Sequence, residues 1–213
     1  NVLKDSNCII FIYATKNDID KANFIYNHNN LNNYPIKIVT NDFTGNKFLN
    51  LKNIDGYHNL CNKTFSLCKY FLNTDYNYMV KVDASLVGYK HNVFYEELSF
   101  DKFIDFMLNK KYELEYNGIF KHKNGYVTKS GHTHNITIEG LNNWGKSKKI
   151  PNFDARAIFK EDSDIPEYFS GKCYSLSKNA AKKVSESKIL EELIRSRLGG
   201  SEDLFVGCCI SRE

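Results

Sequence analysis

An aspartate that follows an apolar segment is the first residue in this sequence whose type and position indicate chemistry. Residues 78–82 (YMVKV) are rich in aromatic and β-branched side chains and predict a buried strand, which Asp83, Ala84 and Ser85 follow directly. Ligands of open α/β sheets bind outside the carboxyl ends of the strands, where a carboxylate can hold a hard divalent cation that in turn holds a diphosphate. Because Asp also starts turns after strands, a capping role for Asp83 is the alternative.

The elements before this strand predict an α/β sheet. Residues 7–14 (NCIIFIYA) form a continuous apolar run that is typical of a central strand, residues 18–31 predict a helix, and residues 36–40 (IKIVT) predict a second strand. This order of strand, helix and strand indicates a parallel right-handed unit. A stronger helix is predicted over residues 59–72, where apolar residues recur at helical spacing.

The second half of the chain predicts shorter elements. A helix near residues 101–107 is followed by strand-like pieces at 118–121, 126–128 and 136–138, which indicate an antiparallel patch. Residues 141–163 are polar, contain the chain's one tryptophan, and predict a long loop. The pattern is completed by a strand at 172–176, a helix capped by Ser177, an amphipathic helix at 188–198 and a buried strand or helix start at 204–210.

Composition limits the classes of protein to which the chain can belong. Its 213 residues, 42% of them hydrophobic, suit one α/β domain with a substantial core. The net charge of +4 is spread along the chain, which argues against a duplex nucleic acid as partner. The positive charge and the 14% aromatic residues nevertheless keep an unrelated nucleic-acid-binding domain as a rival.

The sequence also allows predictions about membrane association and the cellular compartment. It has no signal peptide and no apolar run of about 18 residues, so we expect no membrane segment. None of its six cysteines forms a Cys-x-x-Cys pair and most lie in apolar runs, which predicts buried thiols in a reducing compartment. The chain begins without Met and stops after an apolar segment, so we expect a module of a longer protein.

Four motifs resemble those of a known family. They are YHNLCNKT at 57–64, KVDAS at 81–85, YFSGKCYSLS at 168–177 and EDLFVG at 202–207. These resemble, in the same order, the Tyr-x-Asn-Leu-x-x-Lys-Thr, DxD-type, Tyr-x-x-Tyr-Cys-Ser-Gly-x-x-Tyr-x-Leu-Ser and Glu-Asp-Val-x-Val-Gly motifs of the β-1,3-galactosyltransferase and fringe-like glycosyltransferases. The third motif is shortened here. The combination is also similar to N-terminal glycosyltransferase modules encoded by chlorella viruses.

The resemblance implies a single GT-A-like α/β domain with a mixed central β-sheet flanked by helices. Residues 1–90 would be the nucleotide-binding half and residues 91–213 the acceptor-binding half. It also implies a UDP-sugar donor, Mn²⁺ or Mg²⁺ as cofactor, and transfer of a hexose or deoxyhexose to a glycan or glycoprotein. From the viral relatives we expect a monomer in the host cytoplasm that decorates a capsid protein and has no nucleic-acid partner.

One departure from the family concerns the metal. The family's acidic motif usually has two or three carboxylates, whereas here Asp83 alone remains, followed by Ala84 and Ser85. Ser85, the diphosphate, water or an acid elsewhere would have to supply the other oxygen ligands. A GT-A-like domain that binds a nucleotide sugar without turning it over is therefore the alternative function.

The resemblance also implies roles for residues that contact the donor. Asp83 would be the metal ligand, and Lys63, near the start of its helix, would contact the nucleotide. At the end of the first strand, Tyr13 would stack on the uracil and the backbone of residues 14–15 (Ala14 and Thr15) would read its edge. Asp42, after the second strand, would bind uracil or ribose. A surface lysine and ordinary turn residues are the alternatives.

Two further candidate site residues lie in the second half of the chain. Asp203 is the candidate catalytic base, because in an inverting transfer a carboxylate removes the proton from the attacking hydroxyl. In a retaining reaction Asp203 would lose that role, and a cap beside Glu202 is its structural alternative. Trp144 is suited to stack on the apolar face of a sugar ring, although packing in the core accounts for it equally well.

Overall fold

The structure is a computed structural model that describes residues 7–51, 59–93, 96–122, 126–127, 133–134, 136–150, 153–195 and 201–211. Tyr57 and His58, which begin the first family-like motif, lie outside these ranges. Within them the chain forms a mixed α/β fold with a six-stranded central sheet flanked by helices. The predicted fold class is therefore confirmed at this level.

The central sheet contains six strands in the order β3-β2-β1-β4-β12-β7. They are β1 (Cys8–Tyr13), β2 (Ile36–Val39), β3 (Phe48–Leu49), β4 (Tyr78–Asp83), β7 (Tyr116–Gly118) and β12 (Cys173–Ser177). The first four are parallel to one another, and β12 is antiparallel to both β4 and β7. The carboxyl ends of β1, β2 and β4 consequently share one edge of the sheet with the start of β12, and this edge is called the carboxyl edge below.

Three two-stranded sheets lie outside the central one. They pair β5 (Lys90–Val93) with β6 (Glu96–Ser99), β8 (Lys121–His122) with β11 (Tyr168–Phe169), and β9 (Tyr126–Val127) with β10 (Thr133–His134). All three pairs are antiparallel, but the predicted pieces at 118–121 and 126–128 pair with β11 and β10 and not with each other, so they do not form one patch.

Seven α-helices complete the described part of the chain. They are α1 (Ile19–Tyr26), α2 (Leu60–Leu72), α3 (Phe100–Leu108), α4 (Ile138–Ser147), α5 (Lys178–Glu186), α6 (Ile189–Arg195) and α7 (Glu202–Ser211). Ser177 begins α5 as predicted, since its side chain accepts a hydrogen bond of 3.1 Å from the Ala180 amide. Ser99 begins α3 in the same way, since its side chain accepts a hydrogen bond from the Lys102 amide.

The core has two layers because strand side chains alternate between the faces of the sheet. In β1, Ile9, Phe11 and Tyr13 join the layer that contains α2, α5 and α7. The intervening Ile10 and Ile12 join the layer that contains α1 and α3. Both faces of β1 are buried, which explains its continuous apolar run.

Two predictions for the second half are wrong. Residues 136–138 are not a strand, because Ile138 begins α4, and the first part of the loop predicted over 141–163, residues 141–147, belongs to the same helix. The strands and helices predicted in the first half are confirmed, except that the first helix ends at Tyr26 and is followed by a short 3₁₀ turn.

Two further findings concern the cysteines and the membrane. All six cysteines are buried free thiols, as predicted. Among the described residues, no helix is both long enough and apolar enough to cross a lipid bilayer. The division into halves at residue 90 stays a prediction.

Candidate functional site

A cavity of about 470 Å³ opens beside the carboxyl edge. Asp83, the last residue of β4, lines it together with Lys172, which directly precedes β12. Glu202 and Asp203, from the first turn of α7, line it from another side. The structure therefore brings together the two acidic residues that the sequence singled out, Asp83 and Asp203, although they belong to distant segments.

The lining of this cavity also includes a buried lysine. Lys81 is only 2% exposed, because its place in β4 directs the side chain into the layer occupied by α2 and α7. Its ammonium donates to Asp83 Oδ1 at 2.7 Å and to Glu202 Oε1 at 2.6 Å, and it also donates to the carbonyl of Gly171. One cation thus connects β4, the turn before β12 and the start of α7.

Glu202 is the most enclosed of the cavity carboxylates. It is 4% exposed, and its Oε2 accepts hydrogen bonds from Thr64 Oγ1 at 2.5 Å and from the Tyr174 hydroxyl at 3.3 Å. Burial raises the pKa of Glu202 above its usual value, although the Lys81 ammonium opposes the rise. Both oxygens of Glu202 are therefore engaged, and the residue is held in place rather than free to react.

The pKa of Lys81 shifts in the opposite sense to that expected from burial alone. Burial favours the neutral amine and lowers the pKa, but Asp83 and Glu202 together outweigh burial and raise it above its usual value. Lys81 consequently stays charged, and removing it would leave two carboxylates without their shared cation.

Asp203 differs from the other two carboxylates. Its Oδ2 accepts a hydrogen bond of 3.2 Å from the Gly171 amide, and its Oδ1 accepts one of 3.0 Å from the Leu204 amide. No ion pair to Asp203 occurs among the residues that the structure describes, and the side chain is partly exposed to the cavity. Of the three carboxylates it is the one that is best placed to accept a proton from a bound molecule.

Gly171 leaves no room for a side chain. A Cβ atom built there would lie 2.9 Å from Glu202 Oε1 and 3.6 Å from Asp203 Oδ2. We expect Gly171→Ala to displace the Glu202 carboxylate and to lower the free energy of unfolding by about 1–3 kcal/mol, as overpacking does elsewhere. Thermal or urea unfolding of the variant measures the change in stability. A midpoint equal to that of wild type would show that the first turn of α7 can move to accommodate the methyl group without loss of stability.

Ser85 and Lys172 form a second polar contact at the carboxyl edge. Lys172 Nζ donates to Ser85 Oγ at 2.7 Å and lies 3.9 Å from Asp83 Oδ2. The Lys172 side chain is 28% exposed, so its positive charge reaches the cavity. A bound anion beside Asp83 would therefore meet this ammonium.

The predicted nucleotide-binding residues lie near the same edge but do not line the cavity. Tyr13 is buried, its hydroxyl bonds Thr64 Oγ1 at 3.0 Å, and its ring centroid lies 4.8 Å from Lys63 Nζ and 4.6 Å from Lys81 Nζ. Burial raises the pKa of Tyr13 well above its usual value. Stacking of Tyr13 on uracil stays a prediction, and so does contact of Lys63 with the nucleotide.

The other three residues predicted to contact the sugar donor make hydrogen bonds within the fold, two of them local and one to the neighbouring strand. Ala14 is buried and its amide donates to the Val39 carbonyl at 3.3 Å, while Thr15 is exposed and its hydroxyl donates to Asp18 Oδ2 at 2.9 Å. The Asp42 amide donates to Thr40 Oγ1 at 3.2 Å. Their role in binding a nucleotide stays a prediction.

The residues present offer limited support for a divalent cation. Asp83 Oδ1 is occupied by Lys81, whereas no described residue hydrogen-bonds to Oδ2, which has the Lys172 ammonium at 3.9 Å and is the oxygen available to a metal. Within the described residues, no group of three or more His, Cys, Asp or Glu side chains is arranged to hold an ion. These residues fit a cation that is held chiefly by a bound diphosphate and water, with Asp83 as its one protein carboxylate.

Sequence reasoning missed Lys81 and Glu202 as members of the site. The available signal was a charged residue inside a strand with two buried faces, since a buried charge requires a partner of opposite sign. The partner, Glu202, was identified only as the neighbour of Asp203.

No family model matches this chain, and no curated protein matches it in sequence.

Proposed function

We propose that this chain is a GT-A-type glycosyltransferase domain that transfers a hexose or deoxyhexose from a UDP-sugar to a hydroxyl of a glycan or glycoprotein. The observation that carries the proposal is that Asp83 and Asp203 line one cavity at the carboxyl edge of an α/β sheet. That edge is where open α/β sheets bind their ligands. The four motifs at residues 57–64, 81–85, 168–177 and 202–207 support the same function.

In this reaction Asp203 removes the proton from the acceptor hydroxyl as its oxygen attacks the anomeric carbon of the donor sugar. A bond forms between that oxygen and the anomeric carbon, and the bond from the anomeric carbon to the diphosphate oxygen breaks. Negative charge grows on the departing UDP, where the Lys172 ammonium stabilises it. Glu202 and Lys81 hold Asp83 and the start of α7 in position without contacting the reacting atoms.

A divalent cation, Mn²⁺ or Mg²⁺, would be held by Asp83 Oδ2 beside the diphosphate. When bound, it supplies Lewis-acid stabilisation of the charge on the leaving diphosphate. We further propose that the enzyme is monomeric and acts in the host cytoplasm on glycans of a viral capsid protein.

A second candidate is a domain that binds a nucleotide sugar without transferring it. It is favoured by the single carboxylate at the end of β4, one oxygen of which is already bound to Lys81. This alternative predicts binding of UDP with no UDP release from any pair of donor and acceptor.

The donor class can be tested by calorimetric titration of UDP, GDP and CMP, each with and without Mn²⁺. We expect binding of UDP alone and only with the metal, because uracil contacts select the base and the cation links the diphosphate to Asp83. If none of the three nucleotides binds under either condition, the proposed function is wrong.

Asp83→Asn is expected to weaken Mn²⁺-dependent UDP binding by about tenfold or more, which corresponds to about 1.4 kcal/mol or more. The amide keeps the shape of the side chain but loses the charge that attracts the cation. Asp75→Asn is the matched control, because Asp75 is exposed and lies in the turn at the opposite end of β4. Unchanged Mn²⁺-dependent affinity of the Asp83 variant would move the metal site elsewhere.

A further inference from the structure

The cavity beside the carboxyl edge has two chemically different walls. Its polar wall consists of charged residues from β4, the turn before β12 and α7, as described above. A second wall, called the apolar wall, is formed largely by α4 and contributes Leu141 and Trp144 beside the polar Thr137 and Lys148. A ligand that fills the cavity must therefore present a polar side and an apolar side at once.

One face of α4 forms most of the apolar wall. Thr137, Gly140, Leu141, Trp144 and Lys148 line the cavity, and their spacing of three or four residues places them on one side of the helix. Trp144 is the large flat side chain of this wall, and it is only partly buried.

The Trp144 side chain is held in position by its packing against Phe153. Its ring makes an edge contact with Phe153, with centroids 5.7 Å apart. Phe153 packs directly on Gly145, where an added Cβ would lie 2.4 Å from the Phe153 ring. A tryptophan held in this way presents its surface without a large loss of side-chain freedom on binding.

A second aromatic pair lines the cavity near the start of β12. Tyr168 and His122 are register partners in β11 and β8, and their ring centroids lie 4.8 Å apart. Both residues line the same cavity as Trp144. No described residue of β1 or β2 lines the cavity. These aromatic side chains therefore lie apart from the ends of β1 and β2, where uracil is predicted to bind.

We propose that this cavity binds the acceptor as a saccharide, with the C–H face of one pyranose ring on Trp144 and its hydroxyls directed at Asp203 and the other polar groups. The inference rests on the proposed function and names the acceptor's chemical class. A pyranose ring has the required two sides, since its axial C–H bonds form an apolar face and its hydroxyls are hydrogen-bond donors. A cavity of about 470 Å³ lies within the range of small-molecule sites.

Trp144 gives a direct optical signal for this proposal, because it is the only tryptophan in the 213-residue chain. The unmodified protein is saturated with UDP and Mn²⁺, and its tryptophan emission is followed during titration with methyl glycosides of glucose, galactose, rhamnose, xylose and fucose. We expect saturable quenching or a shift of the emission with at least one glycoside. Glycerol, which has hydroxyls but no ring, is expected to cause no saturable change.

Two variants separate stacking from core packing. By calorimetry, Trp144→Ala is expected to bind the responding glycoside about tenfold or more weakly, which is typical of the loss of a central aromatic contact. Trp144→Phe keeps an apolar ring and is expected to recover most of that affinity. Phe24→Ala, at an exposed aromatic on α1, is the matched control. UDP affinity is expected to stay within about twofold of wild type in all three variants.

Three outcomes would overturn the proposal while leaving the donor class intact. In the first, tryptophan emission responds to UDP-sugars but to no glycoside. In the second, Trp144→Ala binds the glycoside with wild-type affinity. In the third, Trp144→Ala and Phe24→Ala lose the same amount of glycoside affinity. Failure of UDP itself to bind would instead contradict the proposed function.

Discussion

Replacing Asp203 with Asn is expected to lower the rate of sugar transfer by a factor of about 10²–10⁴, the usual contribution of a general base. The amide cannot take the proton of the acceptor hydroxyl, although its oxygen can still accept the hydrogen bond from the Gly171 amide. UDP affinity is expected to stay within about twofold of wild type, because the role proposed for Asp203 concerns the acceptor and not the donor. The rate is measured as UDP release with the donor and acceptor that the wild-type chain turns over.

Stability measurements separate this chemical role from a structural one. We expect the unfolding free energy of Asp203→Asn to remain within about 1 kcal/mol of wild type, because the amide oxygen keeps one of the two backbone hydrogen bonds and only one net hydrogen bond is lost. Asp75→Asn, in the turn before β4, is again the control for loss of an acidic side chain, and its rate should equal that of wild type. A fully active Asp203→Asn variant would exclude the residue as the base and would favour a retaining reaction.

Replacing Lys81 with Met is expected to lower the free energy of unfolding by about 3–5 kcal/mol, the cost of removing one partner from a buried ion pair. Methionine is similar in length, so the loss reflects charge rather than a cavity. Glu202 would then be buried without its cation, which raises its pKa further. Equilibrium unfolding in urea measures the change.

The pH dependence of this loss has a definite sign. A carboxyl group whose pKa is higher in the folded state binds its proton more tightly there, so stability falls as pH rises through that pKa. The destabilisation of Lys81→Met is therefore expected to be larger at about pH 8 than at about pH 5. Adding Glu202→Gln should restore about 1–3 kcal/mol, because the two residues are directly coupled.

The control for the Lys81 variant is Lys182→Met on α5. That side chain is 62% exposed and lies 4.0 Å from Glu186. Its loss is expected to change the unfolding free energy by no more than about 0.5 kcal/mol, as for other surface ion pairs. Equal effects of the two substitutions would mean that the buried ammonium contributes nothing beyond a surface lysine.

The sequence predicted the central elements well because burial leaves a strong local pattern. β1 is buried on both faces, and its sequence is an unbroken apolar run. α2 has apolar residues at helical spacing. Asp83 was identifiable for a related reason, since it follows an apolar strand directly. The carboxyl edge, and with it the position of the site, was therefore predictable from local sequence.

Helix α4 was missed because its stability comes from contacts outside it. Glycine and asparagine, which are poor helix formers, make up much of the segment. The helix is capped by Thr137, which accepts a hydrogen bond from the Gly140 amide at 2.9 Å, and Asn142 accepts one from the Ala155 amide at 2.8 Å. Contacts of this kind are not visible in local periodicity, so the apolar wall of the cavity could not be predicted.

The ion pair between Lys81 and Glu202 was also missed because it depends on contacts between distant parts of the chain. This ion pair joins residues that are 121 positions apart in the chain. A lysine within an apolar strand signals that a partner exists, but the identity of that partner depends on the order of the strands and on how α7 packs.

This long separation bears on the order in which the molecule is made. α7 follows every described strand in the chain, so during synthesis Lys81 is complete long before Glu202 is joined to the nascent polypeptide. Until then Asp83 is the one carboxylate of the pair that can bind the Lys81 ammonium, and contacts of high sequence separation carry the largest entropic cost of closure. We therefore expect the carboxyl edge to be among the last regions to acquire its native form, and nascent chains that lack α7 to have an incomplete site.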